Sequence, residues 1–338
     1  MVLYAGIDLH ATNSVVVVLD EQDRVMYQKR LRNDLTEILQ ALAAYQGALQ
    51  GVVVESTYNW YWLVDGLLEA GYRVHLANTA AIQQYAGLKY TDDHSDARWL
   101  AHLLRLGILP QGYIYPKAER AVRDLLRKRT QLVRQQTANL LSIENVLTRN
   151  TGLTWSGNRV KQLTVEEAEH QLPVSEIALA VQSTLAVLRC LEEQIENVER
   201  VVLKRVKLRA AFQPLLSVSG IGQILGMTIM LETGDIGRFA TVGHFASYCR
   251  CVGSTKLTNG KRKGEGNTKN GNKYLAWAFV EAANFAVRYN PQVRRFYPRK
   301  QAKTNGVVAI KAVAHKLARA CYYILRDQVP FDVSKAFA

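Results

Sequence analysis

Cysteine is scarce. Four residues in 338 (Cys190, Cys249, Cys251 and Cys321) are too few and too scattered for a disulfide framework, so the chain reads as a reduced one. No run approaches the ~18 consecutive apolar residues of a membrane span, and no membrane partner is expected. The opening segment lacks a basic cluster and reaches Asp8 early, unlike a signal peptide. No Gly-x-Ser-x-Gly elbow occurs, which removes the usual Ser-His-Asp hydrolase. Acids are also in short supply: 29 Asp and Glu against 43 Lys and Arg leave a formal net charge of +14. Such an excess says little about fold but favours a polyanionic partner. Apolar material is ample, at 48% of residues, so disorder is not expected. At roughly 100–200 residues per domain the chain has room for two or three.

Residues 1–112 read as an α/β domain. Residues 4–9, 15–19 and 25–31 are strand-like, and 51–55 is a short apolar strand suited to a central position. Asp34 can cap a helix, with Glu37 three residues on. Further helices fit 58–70, stopping at Gly71, and 95–106, with a strand over 73–77 between them. Strands first, then alternating helix and strand, predict a mixed sheet with helices packed on it. From 113 to 209 the pattern becomes helical in two long stretches. In the second, Leu188, Leu191, Ile195, Val198 and Val202 step by 3, 4, 3 and 4, a heptad seam. A solvated antiparallel pair and a dimerising coiled coil both fit it. Residues 210–338 form a third domain, helical at both ends with a basic, glycine-rich middle.

Four acids stand out. Asp8 closes the strand Gly6-Ile7-Asp8, and Glu55 ends Val52-Val53-Val54, where an unpartnered charge would be costly. Asp93 and Asp96 lie three apart at a helix start and can face one ion; the neighbouring Asp92 fits the Asp-x-x-Asp-Ala spacing less well. If the strands are adjacent, four carboxylates converge, and only a cation relieves their repulsion. Oxygen ligands suit Mg²⁺, with Mn²⁺ as a substitute, in phosphodiester chemistry. Taken singly, each Asp can also be a turn or cap residue.

Between 250 and 273 the basic residues are Arg250, Lys256, Lys261, Arg262, Lys263, Lys269 and Lys273, set among glycines and asparagines with Glu265 the lone acid. Glycine lets backbone approach phosphate closely and the cations neutralise it, although solvated loops share this composition. Upstream, Gly220-Ile221-Gly222 resembles a helix-hairpin-helix turn; downstream, Tyr289, Phe296 and Tyr297 offer stacking surfaces among further Lys and Arg. Cys249-x-Cys251 has only His244 nearby, a spacing unlike structural zinc, and reads as two core thiols.

Taken together, Gly-Ile-Asp8, Val-Val-Glu55 and Asp93-His-Ser-Asp96-Ala resemble the DEDD tetrad of the Piv-invertase-like insertion-sequence transposases, the bridge-RNA-guided recombinases. The stretches Leu216–Gly222, Phe245–Arg250 and 259–275, and the closing Ala-His315-Lys-Leu-Ala-Arg-Ala, resemble that group's C-terminal domain. The resemblance implies a RuvC-like domain of the RNase H fold with Asp8, Glu55, Asp93 and Asp96 holding Mg²⁺, a coiled-coil middle, and a mostly helical C-terminal transposase domain carrying a nucleophile. It also implies a non-coding bridge RNA pairing with target and donor DNA, a dimer that becomes a tetramer when active, and a cytoplasmic, nucleoid-associated bacterial location. The group's serine precedes a glycine in the basic segment. Here that slot is filled by Thr258, with Ser254 as the competing nucleophile. Two other readings share these residues: a RuvC-like metal-dependent endonuclease or junction resolvase using water, and a non-catalytic RNA- or DNA-binding protein.

Overall fold

The computed structural model describes residues 1–82, 93–253, 255–265 and 270–337. Two compact units emerge, Met1–Lys117 and Ala118–Ala338. Residues 113–209 and 210–338, distinguished above by composition, thus fall almost wholly within the second.

In the first unit, β1 (Leu3–Leu9), β2 (Asn13–Asp20) and β3 (Val25–Arg32) precede α1 (Leu35–Ala43). There follow β4 (Leu49–Glu55), α2 (Tyr61–Glu69), β5 (Val74–Ala77), α3 (Thr79–Ile82), α4 (Asp93–Arg105) and β6 (Gln111–Gly112). The sheet order is β3-β2-β1-β4-β5-β6; β1 with β4 and β4 with β5 pair in parallel, and the other neighbours pair antiparallel. The two-residue period of the central strands sorts their side chains into two cores. Ala5, Ile7, Leu9, Val16, Val18, Val52 and Val54 pack with Ile38 and Leu42 of α1 and Leu63, Val64 and Leu67 of α2. On the opposite face, Val15, Val17, Leu19, Val53 and Ala77 meet Ala97, Leu100, Ala101 and Leu103 of α4. Burial on both faces explains why β4 reads as an unbroken apolar run. At the edge, β3 buries only Leu31 and carries Lys29, Arg30 and Arg32, charges that discourage pairing with another strand. Asp34 caps α1, its side chain accepting from the Glu37 amide.

The second unit begins with a long helical hairpin. α5 (Lys117–Thr151) is followed by the short α6 (Gly157–Gln162) and α7 (Val165–Gln171), and then by α8 (Ser175–Val206). Arg129 Nε donates to Glu199 Oε1 at 2.7 Å and Gln136 Nε2 to Glu192 Oε1 at 3.2 Å. Seven residues forward on α5 match seven back on α8, so the helices run antiparallel in register. The heptad positions Leu188 and Val202 are buried inside the chain. Leu188 clusters with Ile143 and Leu147 of α5 and with residues of α6 and α7; Val202 clusters with Leu126.

The rest of the unit comprises α9 (Phe212–Leu216), α10 (Gln223–Thr233), α11 (Val242–Tyr248), β7 (Thr255–Thr258), β8 (Lys261–Glu265), α12 (Lys273–Tyr289), α13 (Pro291–Ala302), α14 (Gly306–Asp327) and α15 (Val333–Phe337). α10 is buried on every side from Leu225 to Thr233, as a central helix must be, with Phe212, Phe245 and Phe279 in the surrounding core. The Gly-Ile-Gly turn joins α9 to α10. There Gly220 sits at φ +91°, and a Cβ would meet the Ala282 carbonyl oxygen of α12 at 2.2 Å.

Candidate active site

Asp8 sits near the C-terminal end of β1 and is buried (2% exposed). Parallel pairing of Gly6 with Val53 and Ile7 with Val54 makes Glu55 its neighbour across the strands. Alternation puts Asp8 and Glu55 on the face that α4 covers, with Gly6 and Val53. Two contacts place α4 along that face. Its C-terminal half is held to the β2–β3 turn, where Asp23 (φ +61°) accepts from Arg105 Nε at 2.7 Å and lies 2.9 Å from His102 Nδ1. Midway along α4, Ala97 and Ala101 rest directly on Gly6: a Cβ there would stand 2.0 Å from the Ala97 carbonyl oxygen. The helix therefore runs antiparallel to β1, and its first turn comes to the Asp8–Glu55 end. Asp96 is half-buried in that turn, with Oδ1 shielded from solvent. The backbone of Asp93 begins the helix; its side chain lies outside the described residues.

The Asp8 carboxylate has capacity to spare. Its Oδ2 is buried without a hydrogen bond of good geometry, the His10 imidazole Nε2 standing 3.2 Å away. The His10 turn is itself held, its carbonyl accepting from Asn33 Nδ2 and Asn59 Nδ2, both at 3.0 Å. A buried, incompletely satisfied carboxylate beside further acids fits a hard divalent cation. Among the described residues no three His, Cys, Asp or Glu side chains stand close enough to hold a metal. The fold thus gathers Asp8, Glu55 and Asp96 at one end of one face without closing a ligand shell.

In the second unit the basic segment forms a β-hairpin. Asn259 (φ +54°) and Gly260 (φ +73°) make the two-residue turn that matches strand twist, and Asn-Gly is the pair best suited to it. Thr258 is the last residue of β7, exposed and paired with Lys261; Lys261 and Lys263 are exposed on β8, and Lys273 at the start of α12. Ser254 and Lys269, and the side chains of Lys256 and Arg262, lie outside the described residues. Arg250 braces the base of the hairpin: its Nε donates to the Asn270 carbonyl at 2.9 Å and its Nη2 to that of Gly271 at 3.1 Å. Gly271 (φ +85°) is required there, since a Cβ would lie 2.5 Å from the Tyr248 carbonyl oxygen.

Two features are now in view: an acidic sheet end in the first unit and an exposed hydroxyl on a basic hairpin in the second. Residues 5–150 match the family model of the DEDD transposases of the IS110 type, and residues 213–298 match that of the transposase IS116/IS110/IS902 family. The chain belongs to the IS110-type DEDD transposases. Its relatives include the putative transposase y4qE of Sinorhizobium fredii, 26% identical over 78% of this chain and 65% of that protein. A probable family 20 transposase of Pseudomonas aeruginosa is 26% identical over 78% of this chain and 80% of its own length. The transposase for insertion sequence element IS1328 of Yersinia enterocolitica is 22% identical over 97% and 98%. The six-stranded mixed sheet with helices on both faces fits the RNase H-like domain of such a transposase. No described helix is long and apolar enough to cross a membrane.

Other residues of this IS110-type transposase take places that sequence alone does not reveal. Cys249 and Cys251 are buried, and Cys251 Sγ donates to the Cys249 carbonyl at 3.4 Å. Burial pushes the Cys251 thiol up to about 12 and Cys249 well above the usual thiol range, which makes both poor nucleophiles. Tyr289 is exposed and stacks on Phe285 with centroids 6.4 Å apart, whereas Phe296 is engaged by Phe337 and Lys316. Glu232, buried on α10, takes a bidentate grip from Arg127 and carries no signal in the sequence beyond an acid inside an apolar run.

Proposed function

We propose that this chain is an insertion-sequence recombinase that cuts and rejoins DNA under the direction of a bridge RNA. What most supports this is the buried Asp8 carboxylate beside Glu55, beneath the first turn of α4. Asp8, Glu55, Asp93 and Asp96 would hold Mg²⁺, or Mn²⁺ in its place. Bound there, the ion would polarise the phosphodiester and stabilise the leaving oxygen. The chain's own residues supply the rest. The Thr258 hydroxyl attacks phosphorus and loses its proton, and the bond to the 3′ oxygen breaks. The product is a 5′-phosphothreonine and a free 3′ hydroxyl. The basic side chains Lys256, Lys261, Arg262, Lys263, Lys269 and Lys273 neutralise the phosphates on either side, and sequence choice passes to base pairing. Arg250 contributes by bracing the hairpin. In this reading residues 1–112, 113–209 and 210–338 act as RuvC-like, coiled-coil and transposase domains. A dimer forms through the helical arm, where Leu141, Leu179 and Val187 are exposed, and a tetramer forms with RNA and DNA in the cytoplasm.

A DNA suicide substrate, cleaved in the presence of Mg²⁺ and co-purified RNA, tests this. Wild type yields a covalent protein–DNA adduct, Thr258→Ala yields none, and Ser254→Ala yields it at the wild-type level. Loss in Ser254→Ala alone moves the nucleophile to Ser254. Cleavage without adduct in all three makes water the nucleophile and the chain a nuclease. No cleavage by wild type, with DNA and RNA still bound, leaves a binding protein.

A further inference from the structure

A two-stranded hairpin is at best marginally stable alone, and a nucleophile must be held to within about 0.5 Å, so the direction of the hairpin has to come from its base. That base is tied to a buried polar node. Glu232 of α10 is 3% exposed. Its Oε1 accepts from Arg127 Nε of α5 at 2.6 Å, and its Oε2 accepts from Arg127 Nη2 and Asn272 Nδ2, both at 2.7 Å. Asn272 closes the hairpin's far foot. Its Oδ1 caps α12 by accepting from the amides of Tyr274 and Leu275 at 2.8 and 3.1 Å, and its own amide donates to the Tyr248 carbonyl on the near foot at 2.6 Å. The Arg127 guanidinium lies over the Tyr274 ring, 4.7 Å from its centroid. A buried ion pair is a poor way to stabilise a core, because desolvation offsets most of its attraction; what it does well is specify one geometry.

We infer that Glu232 is a positioning residue, which with Arg127 and Asn272 sets where the hairpin bearing Thr258 leaves the helical body. This rests on Thr258 being the nucleophile. The node itself needs no such assumption, since Asn272 joins Glu232 and the α12 cap through its side chain and the near foot through its backbone amide.

The test is Asn272→Asp in the full-length protein. Asp caps the helix as well as Asn does but turns an oxygen, not an N–H, toward Glu232. The groups facing that oxygen are Glu232, Arg127 with Asp124 beyond it and the Tyr274 ring beneath it, and the Tyr248 hydroxyl, with Arg238 on the Tyr248 ring. Two carboxylates in one buried site raise the pKa of the new acid. At about pH 8.5 the new acid is ionised and repels the Glu232 carboxylate, and the foot is released; toward about pH 6 protonation of the new acid is favoured and its O–H donates to Glu232. The rate of adduct formation relative to wild type should therefore be down at least ~10-fold at the higher pH and recover to within about threefold at the lower. A deficit that is equal at both, or a wild-type rate at pH 8.5, overturns the assignment. Hydrogen exchange of the 255–265 amides without DNA gives a second reading. Their protection should fall ~10-fold at the higher pH while α14 keeps its own, and unchanged protection overturns the node. Should wild type form no adduct, the Thr258 reading fails while exchange still decides whether Glu232 holds the hairpin. Asn272→Ser, which caps without reaching Glu232, replaces the variant if the carboxylate pair prevents folding; it must lose the same protection.

Discussion

Replacing Gly6 by alanine puts a methyl carbon 2.0 Å from the Ala97 carbonyl oxygen, 2.8 Å from the Ala101 nitrogen and 3.1 Å from the Ala97 carbonyl carbon. All three are backbone atoms of α4, so no side chain can rotate away. Restoring contact distances moves the helix off β1 by about 1 Å or more, and a gap of that size forfeits a quarter to a half of each facing dispersion contact. Ala97, Leu100, Ala101 and Leu103 are all buried against the sheet and share that loss. Overpacking of this kind costs about 1–3 kcal/mol, and the upper end applies because the obstacle is backbone. The same displacement carries the first turn of α4 away from Asp8, and a misplacement of about 1 Å costs about 100-fold in rate. Urea unfolding followed by circular dichroism, with Mg²⁺-dependent cleavage of the suicide substrate on the same preparation, measures both. A Gly6→Ala protein within about 0.5 kcal/mol of wild type that cleaves normally would refute the close seating of α4 on β1.

Burial raises the Asp23 pKa, but hydrogen bonds from Arg105 and His102 outweigh it and hold the carboxyl below its ordinary value. A depressed folded pKa stabilises above the unfolded value and is lost as pH falls through the folded one. Asp23→Asn should therefore lower the urea midpoint at pH 7, with the deficit shrinking as pH falls below the ordinary carboxylate range; a deficit that does not shrink would refute the clamp. In the helical arm, Leu188→Ala removes a side chain only 1% exposed, with an expected cost of about 2–4 kcal/mol in urea unfolding. A cost near zero there would mean the seam is not covered by α5.

Much of the N-terminal sheet was legible because its signals are local. A continuous β-branched run marked β2 within two residues of its ends, the Val52–Val54 run marked a strand buried on both faces, and Asp34 with Glu37 marked the start of α1. The long helices were legible from periodicity, although the heptad seam could not say what covers it. Composition marks the basic segment as a glycine-rich, phosphate-approaching stretch without showing its two strands, although Asn259-Gly260 is a turn signal. The charge of Arg250 is visible in a sequence and places it among the cations suited to phosphate, whereas the carbonyls it braces, twenty and twenty-one residues away, are not visible there.

By itself the sequence determined the chemistry on offer: four acids at element ends, a hydroxyl two residues before a glycine among cations, and an excess of positive charge over the whole chain. Residue type sets charge, ligand hardness and strand or helix preference, and these need no partner to be read. Only the tertiary structure decided which groups meet. Gly6 matters because α4 rests on it, Asp23 because it anchors the far end of that helix, and Glu232 because Arg127 and Asn272 converge on it from 105 and 40 residues away. Such contacts depend on how a folded chain brings distant segments within a few ångströms, and no local pattern records that distance.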